Sequence, residues 1–187
     1  MKIQLDQHVI QKKVGILCVL VFLMSPSMDA KAGTALNFGP AKDFNYEALV
    51  QRAAELAKKD YTAPPKPMPS VVEKIDYEAW GNIRYRPESA LFAEGPGIFP
   101  ATFFHVGQFF QKSVRMHVLE NGKAREILYS NDYFSMPKDS IARKLPADTG
   151  FAGFRLQESR KRDDWRTQDW LAYLGASYFR AIGALNQ

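Results

Sequence analysis

Two residues, Asn121-Gly122, sit between alternating runs of apolar and polar residues in the stretch VRMHVLENGKAREILY. Asparagine and glycine tolerate positive φ, which a two-residue turn needs to join twisted antiparallel strands. The spacing predicts a hairpin. In its first arm Val114, Met116 and Val118 share one face, and Arg115 and His117 share the other. An apolar face of this kind has to be laid on another layer, so the hairpin commits the chain to a layered β architecture.

The same period of two runs through most of the chain beyond residue 83. In IRYRP, Ile83 and Tyr85 face one way and Arg84 and Arg86 the other, with Pro87 as the stop. FPATFFHVG, DYFSM, GFAGFRLQ and DWLAYLG are further short strand candidates, and EGPGIF (94–99) reads as a turn. Upstream the period is 3.6. DFNYEALVQRAAELAKK is expected to be a helix capped by Asp43 or Asn45, with Leu49, Ala53, Leu56 and Ala57 on one face. Lys58 and Lys59 suit the negative end of its dipole. APPKPMP (63–69) is an extended connector, followed by a short helical segment around Val71 to Ile75. With 46% hydrophobic and 13% aromatic residues a packed core is expected. One helix ahead of several short strands predicts a mainly β sandwich.

Residues 1–32 stand apart. Lys12 and Lys13 precede the apolar run Val14 to Met24, and Ala30-Lys31-Ala32 offers a small-x-small cleavage site. This is the layout of a secretory signal peptide. The run is well short of the ~20 residues a membrane-crossing helix needs, so the mature protein is expected not to span a membrane. Cys18 lies inside the run, which leaves residues 33–187 without cysteine and the core without disulfide support. No twin-arginine pair precedes the run. Residues 1–32 carry four lysines against two aspartates, so the whole-chain charge of +5 falls to +3 without them. The most basic run, Arg160-Lys161-Arg162, is followed at once by Asp163-Asp164, so a solvated loop explains it better than a nucleic-acid footprint.

The usual chemical motifs are missing. His105 and His117 have no cysteine partner and no metal-ligand spacing, so neither a metal nor a cofactor is expected. Ser177 in GASYF lacks the second glycine of a nucleophile elbow and reads as structural. Asp148, Glu158, Asp163, Asp164 and Asp169 are carboxylates near aromatic or turn-forming segments, and spacing alone pairs none of them. The densest signal is Trp165, Trp170, Tyr173, Tyr178, Phe179 and Arg180 within sixteen residues. Sugar rings offer apolar C–H faces with hydroxyl rims, which aromatic platforms and arginine forks match. Filling a sandwich core accounts for many of the same aromatics, and from physics alone packing is the leading explanation.

NIRYRPESALF, FFHVG, LENGKAREILYS, LPADTGFAGFRL and WLAYLGASYFRAIGALNQ together resemble the periplasmic glucans biosynthesis protein G and D family, from about residue 44 to the last residue. GFAGFRL and LGASYFRA are the most specific blocks, and a leader without twin arginines is more like the G branch. The resemblance implies a galactose-mutarotase-like β-sandwich and a role in making osmoregulated periplasmic glucans with a β-1,2-linked glucose backbone. It implies either a glycoside hydrolase using an acidic pair and an inverting water, or a binding protein that guides the glucan, with a membrane glucosyltransferase as partner. Family chains are much longer, so an incomplete sandwich over residues 33–187 is expected, with the catalytic acids outside this chain, no catalytic residue assignable here, and an inactive truncated remnant as a further alternative. Arg155, Tyr178 and Arg180 are the expected sugar contacts, whereas Phe151, Phe154 and Phe179 are expected to pack.

Overall fold

A computed structural model of the chain describes residues 35–63, 66–175 and 178–183. The expected leader (1–32), Pro64 and Pro65 of the connector, and Ser177 lie outside the described residues.

The hairpin forms as its turn dictates. Strands β4 (His117–Glu120) and β5 (Lys123–Glu126) pair antiparallel with Glu120 opposite Lys123. Asn121 and Gly122 take φ of 50° and 71°. Val118 and Met116 lie against the core while His117 and Arg115 face solvent. A short strand not anticipated, β1 (Lys42–Asp43), pairs with β5 to complete a three-stranded sheet in the order β1-β5-β4. Asp43 is therefore a strand residue, ion-paired with Lys123, and it is Asn45 that caps the helix.

Helix α1 (Tyr46–Ala57) starts where Asn45 Oδ1 accepts from the Ala48 N–H at 2.7 Å. No residue of this helix is buried: Leu49 is 48% and Leu56 57% exposed. The predicted apolar stripe exists but faces solvent. Beyond the connector, α2 (Pro69–Val72) and the following turn bury Val71, Val72 and Ile75, as the apolar spacing requires. A further short helix, α3 (Tyr77–Gly81), begins at Asp76, whose carboxylate accepts from the Ala79 N–H.

Two more antiparallel sheets are present among the described residues. Strands β2 (Arg84–Tyr85) and β6 (Phe134–Ser135) form a pair. Strands β3 (Ala101–Phe104), β7 (Gly153–Gln157), β8 (Asp169–Leu174) and β9 (Tyr178–Ala181) form a four-stranded sheet in that order. The core between the layers is strongly aromatic. Phe151 packs on Phe103 at 4.7 Å and on Tyr129 at 5.4 Å, and Tyr85 meets Phe134 edge-on at 5.2 Å. Offset and edge contacts of this kind add to simple burial. The mainly β class, antiparallel sheets behind one main helix, agrees with the expected sandwich.

Candidate functional site

Strand alternation decides what the four-stranded sheet presents. Thr102, Arg155, Ala172 and Arg180 lie opposite one another across β3, β7, β8 and β9. Tyr178, two residues from Arg180, shares their face. The row of opposite parity is Phe103, Phe154, Tyr173 and Phe179. The first face contributes to a groove of about 840 Å³, lined also by residues of α3 and β2 and by Arg166 and Thr167. Its volume is within the range of pockets that hold small organic ligands.

All three sequence-predicted site residues, Arg155, Tyr178 and Arg180, line this one groove. They are not held alike. Arg155 is half-buried: its Nη1 donates to Asp169 Oδ2 at 3.0 Å and its guanidinium lies over the Phe104 ring at 4.2 Å. Gln157 Nε2 donates to the other oxygen of the same carboxylate. Asp169 thus fixes two donors side by side. Tyr178 and Arg180 lie on β9 and are exposed. The lining adds Thr102, Gln157, Asp169, Arg84 and Arg166, none of which sequence reasoning selected as a contact. Gln157 was within reach of the period-two pattern, since it stands two residues beyond Arg155 on β7. The rest depend on which strands become neighbours.

The other aromatic candidates divide by face and depth. Trp165 is buried, with Arg166 over its ring at 4.4 Å. Phe151 is buried and Phe154 packs against the core, as expected. Phe154, Tyr173 and Phe179 form a stacked ladder with centroids 5.1 and 5.6 Å apart. Phe179, expected to pack, is instead 60% exposed, because within the described residues nothing covers the end of that ladder on β9. Arg160 also departs from the solvated-loop expectation: it reaches back to donate to the carbonyls of Ala93 and Gly97.

Two further groove residues are structural. The Tyr85 hydroxyl donates to the Ser89 carbonyl at 2.8 Å, and burial pushes its ionisation far above the usual phenol range, so it stays neutral. His105 is 2% exposed. Its Nδ1 faces the Val106 carbonyl at 2.7 Å, and its Nε2 lies 2.9 Å from the Tyr129 hydroxyl. Burial holds its pKa below the ordinary histidine value, so its neutral form is the favoured one. Among the described residues, no group of three or more His, Cys, Asp or Glu side chains is placed to hold a metal ion. No described helix is long and apolar enough to cross a membrane. Asp148, Asp163 and Asp164 are exposed, and Asp164 is paired with Arg162.

Comparison with known proteins follows the same residues. Residues 44–187 match the family model described as periplasmic glucan biosynthesis protein, MdoG. Glucans biosynthesis protein D 2 of Ralstonia nicotianae is 54% identical over 163 residues, covering 85% of this chain and 30% of the relative. Glucans biosynthesis protein D of Xanthomonas oryzae pv. oryzae is 36% identical over 184 residues, 97% of this chain and 34% of the relative. That of Stenotrophomonas maltophilia is 40% identical over 150 residues, 80% of this chain and 27% of the relative. The chain thus spans about a third of the length of these relatives or less. They carry the D name, whereas the leader pattern leaned toward the G branch. The chain belongs to the periplasmic glucan biosynthesis protein (MdoG) family.

Proposed function

We propose that the groove is a wall of a saccharide site and that the protein takes part in building periplasmic glucans, on a β-1,2-linked glucose backbone. The observation that carries this reading is the convergence of Arg155, Tyr178 and Arg180 in one groove, with Asp169 and Gln157 beside them. An aromatic ring offers a glucose unit its C–H-binding surface, while forked guanidinium and amide donors meet its hydroxyls. Asp169 supplies the preorganisation: it holds Arg155 and Gln157 in place before ligand arrives, which lowers the ordering cost of binding.

Among the described residues the groove lining contains one carboxylate, and that carboxylate is engaged by two donors. Hydrolysis with an inverting water uses a second carboxylate on the far side of the bond. These residues therefore serve binding and positioning of the glucan. The family name and the leader-like residues 1–32 support a periplasmic location after export. In this setting the natural source of substrate is a membrane glucosyltransferase releasing nascent chain.

The test is calorimetric titration of the 187-residue chain with a linear β-1,2-gluco-oligosaccharide, followed by product-length analysis. Saturable binding that weakens in Arg155→Ala and Tyr178→Ala, without shortening of the oligosaccharide, is the expected result. No binding by folded protein rejects the saccharide reading, and turnover rejects the assignment of a purely binding role.

A further inference from the structure

The groove carries more positive charge than a neutral sugar requires. Arg84, Arg155, Arg166 and Arg180 line it, and Asp169 is its one carboxylate among the described residues. Asp169 is bound to Arg155, which leaves three guanidinium groups with no ion-pair partner among the described residues. Glucose hydroxyls are recognised as well by amides and hydroxyls as by cations. A concave wall of one sign focuses its field and raises the local concentration of anions. The planar guanidinium fork also matches a carboxylate or a phosphate in two parallel hydrogen bonds, something a hydroxyl cannot offer.

Geometry gives the charge a place. Arg155 and Arg180 occupy one cross-strand row with Ala172 between them. Two strand spacings separate their backbones by about 10 Å. Ala172 is buried and presents only a methyl group, so the floor between the two arginines is a low saddle. Arg155 is held by its carboxylate at one side, and Arg180 is exposed and unpaired among the described residues at the other.

We infer that this saddle seats a hexose unit bearing an acidic group, with Arg155 directed to the ring hydroxyls and Arg180 to the anion. The inference rests on the saccharide reading above and adds the substrate class: an acid-bearing saccharide in preference to its neutral parent. Arg166 and Arg84 reinforce the field at the rim.

The experiment uses the whole chain and three probes. These are a linear β-1,2-gluco-oligosaccharide, the same oligosaccharide oxidised to the carboxylate at C6, and inorganic phosphate alone. Calorimetry at low ionic strength is expected to find the oxidised oligosaccharide bound about tenfold more tightly than the neutral one, with the advantage shrinking as salt is added. Arg180→Gln should remove most of that advantage, weakening the oxidised oligosaccharide far more than the neutral one, and far-UV circular dichroism verifies its fold. Arg166→Gln is the second variant, expected to reduce the advantage in part. Equal affinity for the two oligosaccharides overturns this inference alone and leaves the saccharide reading standing. Phosphate binding as tightly as the oxidised oligosaccharide also overturns it, since the site then reads a free anion. Failure of the folded chain to bind either oligosaccharide overturns both readings.

Discussion

Gly153 is the residue whose replacement tests the sheet most severely. It opens β7 and pairs with Leu174 of β8, directly beside the groove face. A Cβ built there would lie 2.1 Å from the carbonyl oxygen of Tyr173, 3.0 Å from that residue's carbonyl carbon and 3.1 Å from the Leu174 Cα. All three are backbone atoms of the neighbouring strand, so no side chain can swing away. Relief requires β7 and β8 to separate by about 1 Å, against a strand spacing of about 4.8 Å. Two ladder hydrogen bonds at roughly 0.5–1.5 kcal/mol each, added to an overpacking cost of about 1–3 kcal/mol, put Gly153→Ala at about 2–6 kcal/mol of lost stability. That is a large share of the ~5–15 kcal/mol typical of a domain. The control is Gly81→Ala, where nothing lies within 4 Å of the added methyl and φ is not positive. This exposed helical site should gain about 0.4–1 kcal/mol from reduced freedom of the unfolded chain. Urea titration of both variants, followed by tryptophan fluorescence and far-UV circular dichroism, separates the cases. A Gly153→Ala midpoint matching the parent's would refute the clash argument and the β7–β8 register behind it.

Other expectations can be checked with the same preparations. Tyr133→Phe keeps a fully buried ring but removes the hydroxyl oxygen that accepts from the Asn37 N–H at 2.8 Å, so urea unfolding should show a loss of about 1 kcal/mol. Ala172→Val enlarges a buried floor residue between Arg155 and Arg180; calorimetry should show oligosaccharide affinity down about tenfold, and urea unfolding an overpacking loss of about 1–3 kcal/mol with the circular dichroism spectrum retained. Asp169→Ala releases Arg155 and Gln157. Because the pair is partly exposed, stability should change by only about 1 kcal/mol while oligosaccharide binding weakens markedly. His105 is held below its ordinary pKa chiefly by burial, with the Val106 hydrogen bond opposing. The unfolded chain then takes up the proton more readily. The stability that neutral His105 contributes is complete above about 6.5 and is lost as pH falls through the lower folded value. Urea midpoints should drop between neutral and mildly acidic pH, and less so in His105→Gln.

Much of this fold is legible in local chemistry. Asn121-Gly122 determines its turn because φ near 50° and 71° is open to those residues and strained for most others. Asn45 determines where α1 begins, and alternation places Ile83 and Tyr85 inward and Arg84 outward. These are decisions made within a few residues. Alternation likewise puts Tyr178 and Arg180 on one face of β9, and the sugar-contact expectation for them and Arg155 came from the family resemblance. Tertiary structure decided the rest. Strand order β3-β7-β8-β9 carries Thr102 and Arg155 from distant parts of the chain into one row with Arg180, and a β-bulge at Leu156/Gln157 brings Asp169 opposite Gln157. The helix pattern of α1 specified an apolar stripe, but only packing could show that it stays exposed within the described residues. Periodicity states which side of an element is apolar; what that side meets depends on pairings across dozens of residues, and those are settled by the whole chain's burial and register together.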